Sequence, residues 1–351
     1  MTPSHDVDSS AIVTAPTSQG GLGFGLKWNM GWMHDSLKYA SEDPINRKWH
    51  HGTVTFSMVY AFTENFLLPI SHDEVVHGKG SMLRKMPGDR WQQLANLRAF
   101  LGYQWAHPGK QLIFMGTEFG QEAEWSEQHG LDWWLADIPA HRGIQMLLKD
   151  LNELYKSTPA LYSRDNEPGG FQWINGADAD RNVLTFVRWD TEGNPLVCAV
   201  NFSGGPHKDY ALGVPSAGAW TEVLNTDSEV YGGSGVLNGG TLAAEDEGID
   251  GQPATLTVTL PPLGAAYFRP SDSSVITTPA AAKAKATEAG SIFAGPTAAE
   301  TRAAETRAAE PKSAEPTRAE PAGAEPNGAA PTGAAPAGET GKSALPGGPL
   351  V

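Results

Sequence analysis

The composition of the chain changes abruptly after Pro270, and this change limits where a folded core can lie. All 11 tryptophans fall between Trp28 and Trp220, whereas residues 271–351 are mostly Ala, Pro, Glu, Thr and Gly, with Phe293 as the only aromatic residue. A segment of that kind buries too little apolar area to offset the entropy lost on ordering. We therefore expect every packed domain to lie within residues 1–270.

The segment after Pro270 also repeats a unit of about five residues, as in Ala309-Glu310-Pro311-Lys312-Ser313 and then Ala314-Glu315-Pro316-Thr317-Arg318. That period fits neither a helix nor a strand, and regularly spaced prolines interrupt helices. The sequence predicts that residues 271–351 form a disordered, partly polyproline-like tail. A solvated linker is the simplest interpretation, and a tether for a partner is the alternative.

Charge and cysteine content exclude several classes of protein. The net charge is -15, from 40 acidic and 25 basic residues, and no basic stripe is present to bind a nucleic acid backbone. No apolar run is long enough to cross a membrane, and the amino terminus has no signal pattern. The single cysteine, Cys198, cannot form an internal disulfide. We expect a cytoplasmic protein with no nucleic acid or membrane partner, while neutral partners such as sugars remain open.

The first half of the chain alternates short apolar runs with amphipathic segments of helical length. Strand patterns occupy residues 22–28, 66–70 and 111–115, and helix patterns occupy residues 30–40, 44–62, 89–105 and 143–155. This alternation is typical of parallel α/β construction, in which chemistry lies at the carboxyl ends of the strands. Residues 13–158 are therefore predicted to form one α/β unit.

The second half has a different period. Short β-rich runs separated by Gly, Asn, Asp and Pro occupy residues 170–174, 183–189, 196–202, 220–225, 255–260 and 265–268. These runs predict an antiparallel β-sandwich domain over residues 159–270.

The most informative segment is Ser71-His72-Asp73-Glu74-Val75-Val76-His77-Gly78-Lys79, which directly follows an apolar strand pattern. A carboxylate beside an imidazole can accept hydrogen bonds from sugar hydroxyls and stabilise positive charge as a glycosidic bond breaks. A solvated loop that caps the next helix is the alternative. His72, Asp73 and His77 could ligate a metal, but their spacing matches no known pattern of metal ligands, so we expect no metal.

Other acidic and aromatic residues could have either a functional or a structural role. Acidic side chains after the third strand pattern could include a catalytic acid, although helix capping is the simpler role; they are Glu118, Glu122 and Glu124. Several tryptophans could stack on sugar rings, although core packing is the simpler role for each; they are Trp28, Trp32, Trp125, Trp133 and Trp134.

The segment beginning at Ser71 resembles the 1,4-α-glucan (glycogen) branching enzymes of the α-amylase superfamily, and the resemblance extends over about residues 13–270. Other segments that carry it are Lys27-Trp28-Asn29-Met30-Gly31-Trp32-Met33-His34-Asp35, Met86-Pro87-Gly88-Asp89, Met115-Gly116-Thr117-Glu118-Phe119-Gly120-Gln121-Glu122, Leu131-Asp132-Trp133 and Leu224-Asn225-Thr226-Asp227-Ser228. Several long segments in the same order make the resemblance specific.

The resemblance implies a (β/α)8 barrel followed by an all-β domain, and retaining transglycosylation that forms α-1,6 branches on an α-1,4-glucan such as glycogen, without a cofactor. In the family, a nucleophilic Asp and an acid/base Glu act with a third Asp that stabilises the transition state. Asp73 matches this third Asp, and His72 matches the histidine before it. Glu74, Lys79 and Trp28 are the predicted substrate-binding residues.

The sequence departs from the family pattern at its amino terminus. Residues 1–12 match nothing, and neither the nucleophilic Asp nor the acid/base Glu has a counterpart, since the first glutamate is Glu42. About three of the eight barrel strands are present, which predicts an unclosed sheet with an unburied face. We expect a truncated, carboxy-terminal portion of the enzyme that is inactive alone. The alternative is a non-catalytic glucan-binding subunit, or one that complements a separate amino-terminal half.

Overall fold

The computed structural model describes residues 12–271, so the predicted tail and most of the unmatched amino-terminal segment lie outside the described residues. The α-helices are α1 (Met30–Ser41), α2 (His51–Thr55), α3 (Met82–Lys85), α4 (Arg90–Ala106) and α5 (Pro139–Ser157). The strands are β1 (Lys27–Trp28), β2 (Phe66–Pro69), β3 (Lys110–Leu112), β4 (Phe171–Asp178), β5 (Val183–Trp189), β6 (Pro195–Asn201), β7 (His207–Val214), β8 (Gly218–Asn225), β9 (Thr241–Glu245), β10 (Ala254–Leu260) and β11 (Gly264–Pro270).

The first three strands form a parallel sheet in the order β1-β2-β3. Lys27 pairs with Phe66, and Leu67 pairs with Lys110, so the three strands point the same way. Each connection between consecutive strands contains helix, as a parallel sheet requires. The described residues thus contain an open parallel sheet and no closed barrel, as expected for the last strands of a (β/α)8 fold.

Helix α4 is the central element of the α/β part. It begins at a capping box in which the Asp89 carboxylate accepts from the Gln92 backbone N–H and the Gln92 side chain accepts from the Asp89 N–H. Every residue from Leu94 to Ala106 is buried, because the helix is covered on all sides. Its Gly102 carbonyl accepts a hydrogen bond from the Tyr267 hydroxyl of β11.

The remaining strands form one eight-stranded sheet in the order β4-β5-β6-β11-β8-β9-β10-β7. Neighbouring residues of its strands face opposite sides: Phe186 joins the core that contains α4, whereas Val187 joins a second core within the sheet. This second core takes residues from β5 and β6 and also from β7 and β10, so the sheet folds over on itself as a sandwich. The predicted β-sandwich is confirmed.

The structure corrects three predictions of local structure. Residues 44–62 do not form one helix; α2 is flanked by 3-10 turns at Arg47–His50 and Phe56–Val59. Only Lys27–Trp28 of the strand predicted at residues 22–28 pairs with a neighbour. Strands β7 and β9 were not predicted, because β7 begins with His207-Lys208-Asp209 and β9 is rich in Ala and Glu, which are poor strand formers.

The carboxyl group of Glu222 on β8 gives the fold a specific pH dependence. It is buried and accepts hydrogen bonds from Asn238 N (3.0 Å), Asn238 Nδ2 (2.9 Å) and Asn225 Nδ2 (2.8 Å). Burial raises its pKa to about 7, although these donors oppose the shift.

Between pH 4.5 and pH 8, we expect the unfolding free energy of the wild-type protein to fall by about 3 kcal/mol more than that of Glu222→Gln. The variant lacks the titrating carboxyl group and therefore lacks this contribution. Over that window the folded state retains a proton that the unfolded chain has released, so stability falls as pH rises. Urea denaturation of both proteins across the window measures the difference. Parallel pH profiles would contradict the prediction.

Candidate functional site

The carboxyl ends of β1, β2 and β3 meet at one edge of the parallel sheet, and different polar residues follow each strand. Asn29 follows β1, a turn at His72–Glu74 follows β2, and a turn at Thr117–Phe119 follows β3. The predicted site residues Trp28, His72 and Asp73 therefore lie at the same sheet edge, where α/β proteins place their chemistry.

The turn after β2 is held by its own side chains. Ser71 begins it, and its hydroxyl accepts from the Asp73 N–H at 3.2 Å. The buried Glu74 carboxylate accepts from the Ser71 N–H at 2.5 Å and from the Ser71 hydroxyl at 2.8 Å. These two bonds close a capping box, so Glu74 holds the turn that carries His72 and Asp73.

His72 and Asp73 point into solvent from this fixed turn. Their side chains are 52% and 60% exposed, and His72 Nε2 lies 3.4 Å from Asp73 Oδ1. The His72 ring rests against Phe114 and Trp125, with ring centroids 6.1 and 6.5 Å away. An imidazole and a carboxylate are thus presented together, beside aromatic surface, to any ligand that reaches the edge.

The loop after this turn is held by Glu124, a residue of the segment that follows β3. The Glu124 carboxylate accepts from the backbone N–H of Gly78 at 3.0 Å and of Gly80 at 2.7 Å. These bonds lower its pKa, with Gly80 the largest contributor. Lys79 lies between the two glycines and is exposed, so its ammonium group is carried on a restrained loop.

Trp28 ends β1 and is 46% exposed. The next residue, Asn29, fixes it in place: the Asn29 N–H donates to the Leu67 carbonyl at 2.8 Å, and the Asn29 side chain accepts from the Trp32 N–H at 2.8 Å. An indole ring held at a sheet edge and partly open to solvent is suited to stacking on a sugar face. Its neighbour Trp32 is fully buried and belongs to the core.

The other acidic candidates have structural roles. Glu118 accepts from the Gly116 N–H at 2.6 Å, and Glu122 pairs with Arg90 and with Arg84, the latter at 2.8 Å. His141 also lies 3.7 Å from Glu122. None of these carboxylates is presented as openly as Asp73.

Phe114 and Trp125, the aromatic neighbours of His72, were not predicted as a pair. Phe114 was predicted only as part of the third strand pattern, and Trp125 only as one of several tryptophans that could stack on a sugar ring. Among residues 12–271, no group of three or more His, Cys, Asp or Glu side chains is arranged to hold a metal. Within the same residues, no helix combines the length and apolarity of a membrane span.

Comparisons with known proteins relate the chain to one superfamily. Residues 173–271 match the family model described as "Alpha amylase, C-terminal all-beta domain". Crystal structures of AmyP in complex with maltose (TM-score 0.50, 15% identity, 72% of this chain and 52% of that one) and of an AmyP variant in complex with maltotriose (TM-score 0.51, 15% identity, 71% and 51%) share the fold. Residues 173–271 therefore form the carboxy-terminal all-β domain of the α-amylase superfamily.

Its relatives within that superfamily are closer in sequence. The 1,4-alpha-glucan branching enzyme GlgB of Leifsonia xyli subsp. xyli is 63% identical over 257 residues, which are 73% of this chain and 35% of that protein. The enzyme of Frankia casuarinae is 58% identical over 261 residues, 74% of this chain and 32% of that protein. The matched part of the chain therefore belongs to the 1,4-α-glucan branching enzyme family, and it spans about a third of the length of these relatives.

Proposed function

We propose that the chain supplies the carboxy-terminal part of a glycogen-type branching enzyme, which acts on α-1,4-glucans and forms α-1,6 branches by retaining transglycosylation. The observation that carries the proposal is the exposed His72–Asp73 pair at the carboxyl edge of the sheet, within a region 63% identical to a named branching enzyme.

In this proposal Asp73 accepts hydrogen bonds from ring hydroxyls and stabilises the positive charge that develops on the sugar as its glycosidic bond breaks. His72 lies 3.4 Å from Asp73 and offers a second hydrogen-bonding group to the same ring. Trp28 supplies a flat apolar face for a neighbouring glucose unit, and Lys79 supplies a hydrogen-bond donor. Glu74 acts indirectly, because it holds the turn that presents Asp73.

In this proposal the two remaining chemical roles are assigned to none of the described residues, 12–271. A retaining reaction requires a nucleophilic carboxylate and an acid/base carboxyl group about 5 Å apart around the glycosidic bond. We propose that these groups come from the part of the enzyme that this chain does not match, either in the same protein or as a separate amino-terminal half. Cys198 is fully buried and unpaired, which supports placing this function in the reducing cytoplasm.

A chimera tests the proposal. In it, residues 13–271 of this chain replace the matched part of the Leifsonia xyli enzyme. We expect the chimera to form α-1,6 linkages in amylose, measured by debranching and by loss of iodine stain, and the polypeptide of residues 1–351 to form none alone. Mixing that polypeptide with the unmatched part of the relative tests complementation by a separate half.

A chimera that folds but does not branch amylose would contradict the proposal. Glycogen co-sedimentation by the 351-residue polypeptide, combined with an inactive chimera, would instead favour a non-catalytic glucan-binding protein.

A further inference from the structure

The loop of residues 75–80 carries Lys79, and the peptide group after Lys79 is hydrogen-bonded at both ends. Its carbonyl oxygen, that of Lys79, accepts from Lys85 Nζ, and its N–H, that of Gly80, donates to Glu124 Oε1 at 2.7 Å. Because a peptide group is planar, these two bonds fix its orientation. Glu124 and Lys85 together therefore restrain the direction in which the Lys79 side chain leaves the backbone.

Glu124 also binds the loop on the other side of Lys79. Its Oε2 accepts from the Gly78 N–H at 3.0 Å, so both carboxylate oxygens are used on the same loop. The φ angles of Gly78 and Gly80 are +78° and +72°, a conformation that a residue with a Cβ adopts only at a cost. The backbone is thus shaped so that the N–H groups on either side of Lys79 converge on one carboxylate.

Trp125, the residue after Glu124, connects this loop to the His72–Asp73 pair. The Trp125 N–H donates to the Val75 carbonyl at 2.9 Å, and the indole ring lies against the His72 ring, with centroids 6.5 Å apart. The segment after β3 therefore holds the turn and the loop after β2 in one arrangement.

The charge of Glu124 balances two neighbouring ammonium groups. Burial lowers the pKa of Lys85, and so does the ammonium of Lys79, whereas the carboxylates of Glu74 and Glu124 raise it. The two lysines therefore repel each other across a short distance. Loss of the Glu124 charge would leave this repulsion less compensated and would push the exposed Lys79 away from its place.

We propose that Glu124 is a positioning residue for the branching reaction and acts through Lys79. It holds the loop in the arrangement in which the Lys79 ammonium donates to a hydroxyl group of the bound glucan. This inference rests on the proposed function, which assigns that hydrogen bond to Lys79. A loop that is ordered before binding loses less entropy on binding, so Glu124 increases the affinity for glucan and does not take part in the chemical step.

Substitution in the chimera tests this role. We expect Glu124→Gln to raise KM for amylose about tenfold, the usual cost of one hydrogen bond to a charged group, and to leave kcat within about threefold. Glutamine has nearly the same shape, but one loop N–H would then face an amide nitrogen that cannot accept it. The matched control is Glu127→Gln, an exposed carboxylate of the same segment, which should leave KM unchanged.

A double-mutant cycle separates positioning from a general effect on the fold. Lys79→Met alone should raise KM about tenfold. Adding Glu124→Gln should then raise KM by less than about a further twofold, because the group through which Glu124 acts is already absent. Independent effects that multiply to about a hundredfold would overturn the proposal.

Amide hydrogen exchange measures the loop itself in the 351-residue chain. We expect faster exchange at Gly78 and Gly80 in Glu124→Gln than in Glu127→Gln, and equal thermal midpoints establish that the fold is intact. Unchanged exchange, or faster exchange with unchanged KM in an active chimera, would overturn the positioning role while leaving the proposed function intact.

An inactive chimera would count against the proposed function, and the affinity of the 351-residue chain for maltohexaose would then decide the role of Glu124. Equal weakening by Glu124→Gln and Lys79→Met, with no change in Glu127→Gln, would support positioning. Equal affinity in all three variants would overturn it.

Discussion

Replacing Asp165 by Ala is expected to destabilise the protein by about 3–5 kcal/mol, because it leaves a buried guanidinium without its counter-charge. Arg188 on β5 is fully buried, and its Nη2 lies 2.6 Å from Asp165 Oδ1. The other oxygen, Asp165 Oδ2, lies 2.7 Å from Lys110 Nζ at the start of β3. One carboxylate therefore neutralises two cations, one of which has no access to water.

The position of Arg188 explains why the loss would affect the whole fold. Its guanidinium donates to the Ala106 carbonyl at the end of α4 at 2.7 Å and to the Gly170 carbonyl before β4 at 3.2 Å. Through Arg188 and Lys110, Asp165 connects the parallel sheet, its central helix and the β-sandwich. The charge network thus lies where the α/β part and the sandwich share one core.

Urea denaturation, followed by tryptophan fluorescence, measures the effect. The matched control is Glu167→Ala, which removes an exposed carboxylate that pairs with Arg164 at 3.0 Å. A surface pair of this kind contributes about 0–1 kcal/mol, so the control should remain close to wild type. Asp165→Ala and Glu167→Ala with equal unfolding free energies would show that the buried network does not stabilise the fold.

The sequence predicted the regular elements best where the apolar pattern is strong. Helix α5 was expected from the stripe of Ile144, Leu147 and Leu151, all of which are buried. Strand β5 was predicted at its observed bounds, Val183–Trp189, because it is an apolar run bounded by turn residues. Residues 44–62 were interpreted wrongly, since nothing local shows that Arg47 turns inward to donate to the distant Phe202 carbonyl.

In the candidate site, too, local patterns were predictable and contacts between distant residues were not. The placement of His72 and Asp73 at a strand end follows from the apolar run before them. Glu74 was predicted to bind substrate, and its capping role was not predicted, although the Ser-x-x-Glu spacing is that of a capping box. The role of Glu124 could not be predicted, because its partners Gly78 and Gly80 lie more than forty residues earlier in the chain. Contacts between residues so far apart in the sequence are set by the packing of the sheet, and a local sequence pattern does not predict them.

Replacing Asp73 by Asn in the chimera is expected to lower kcat for branching by about 10²–10³, the usual cost of removing one group that stabilises transition-state charge. The substitution keeps the shape of the side chain and its place on the turn, since the bonds that hold the turn come from Ser71 and Glu74. The affinity for maltohexaose should change much less, because ground-state hydrogen bonds to an amide remain possible.

Separate measurement of kcat and KM shows whether Asp73 acts in the chemical step or only in substrate binding. A stabiliser of developing positive charge loses kcat when its charge is removed, whereas a residue that only binds hydroxyl groups raises KM and leaves kcat near its original value. Asp246→Asn, an exposed carboxylate of the β-sandwich, is the control for loss of charge alone and should retain full activity. If Asp73→Asn retained kcat within about threefold, the small effect would assign the exposed His72–Asp73 pair to substrate binding rather than to the chemical step.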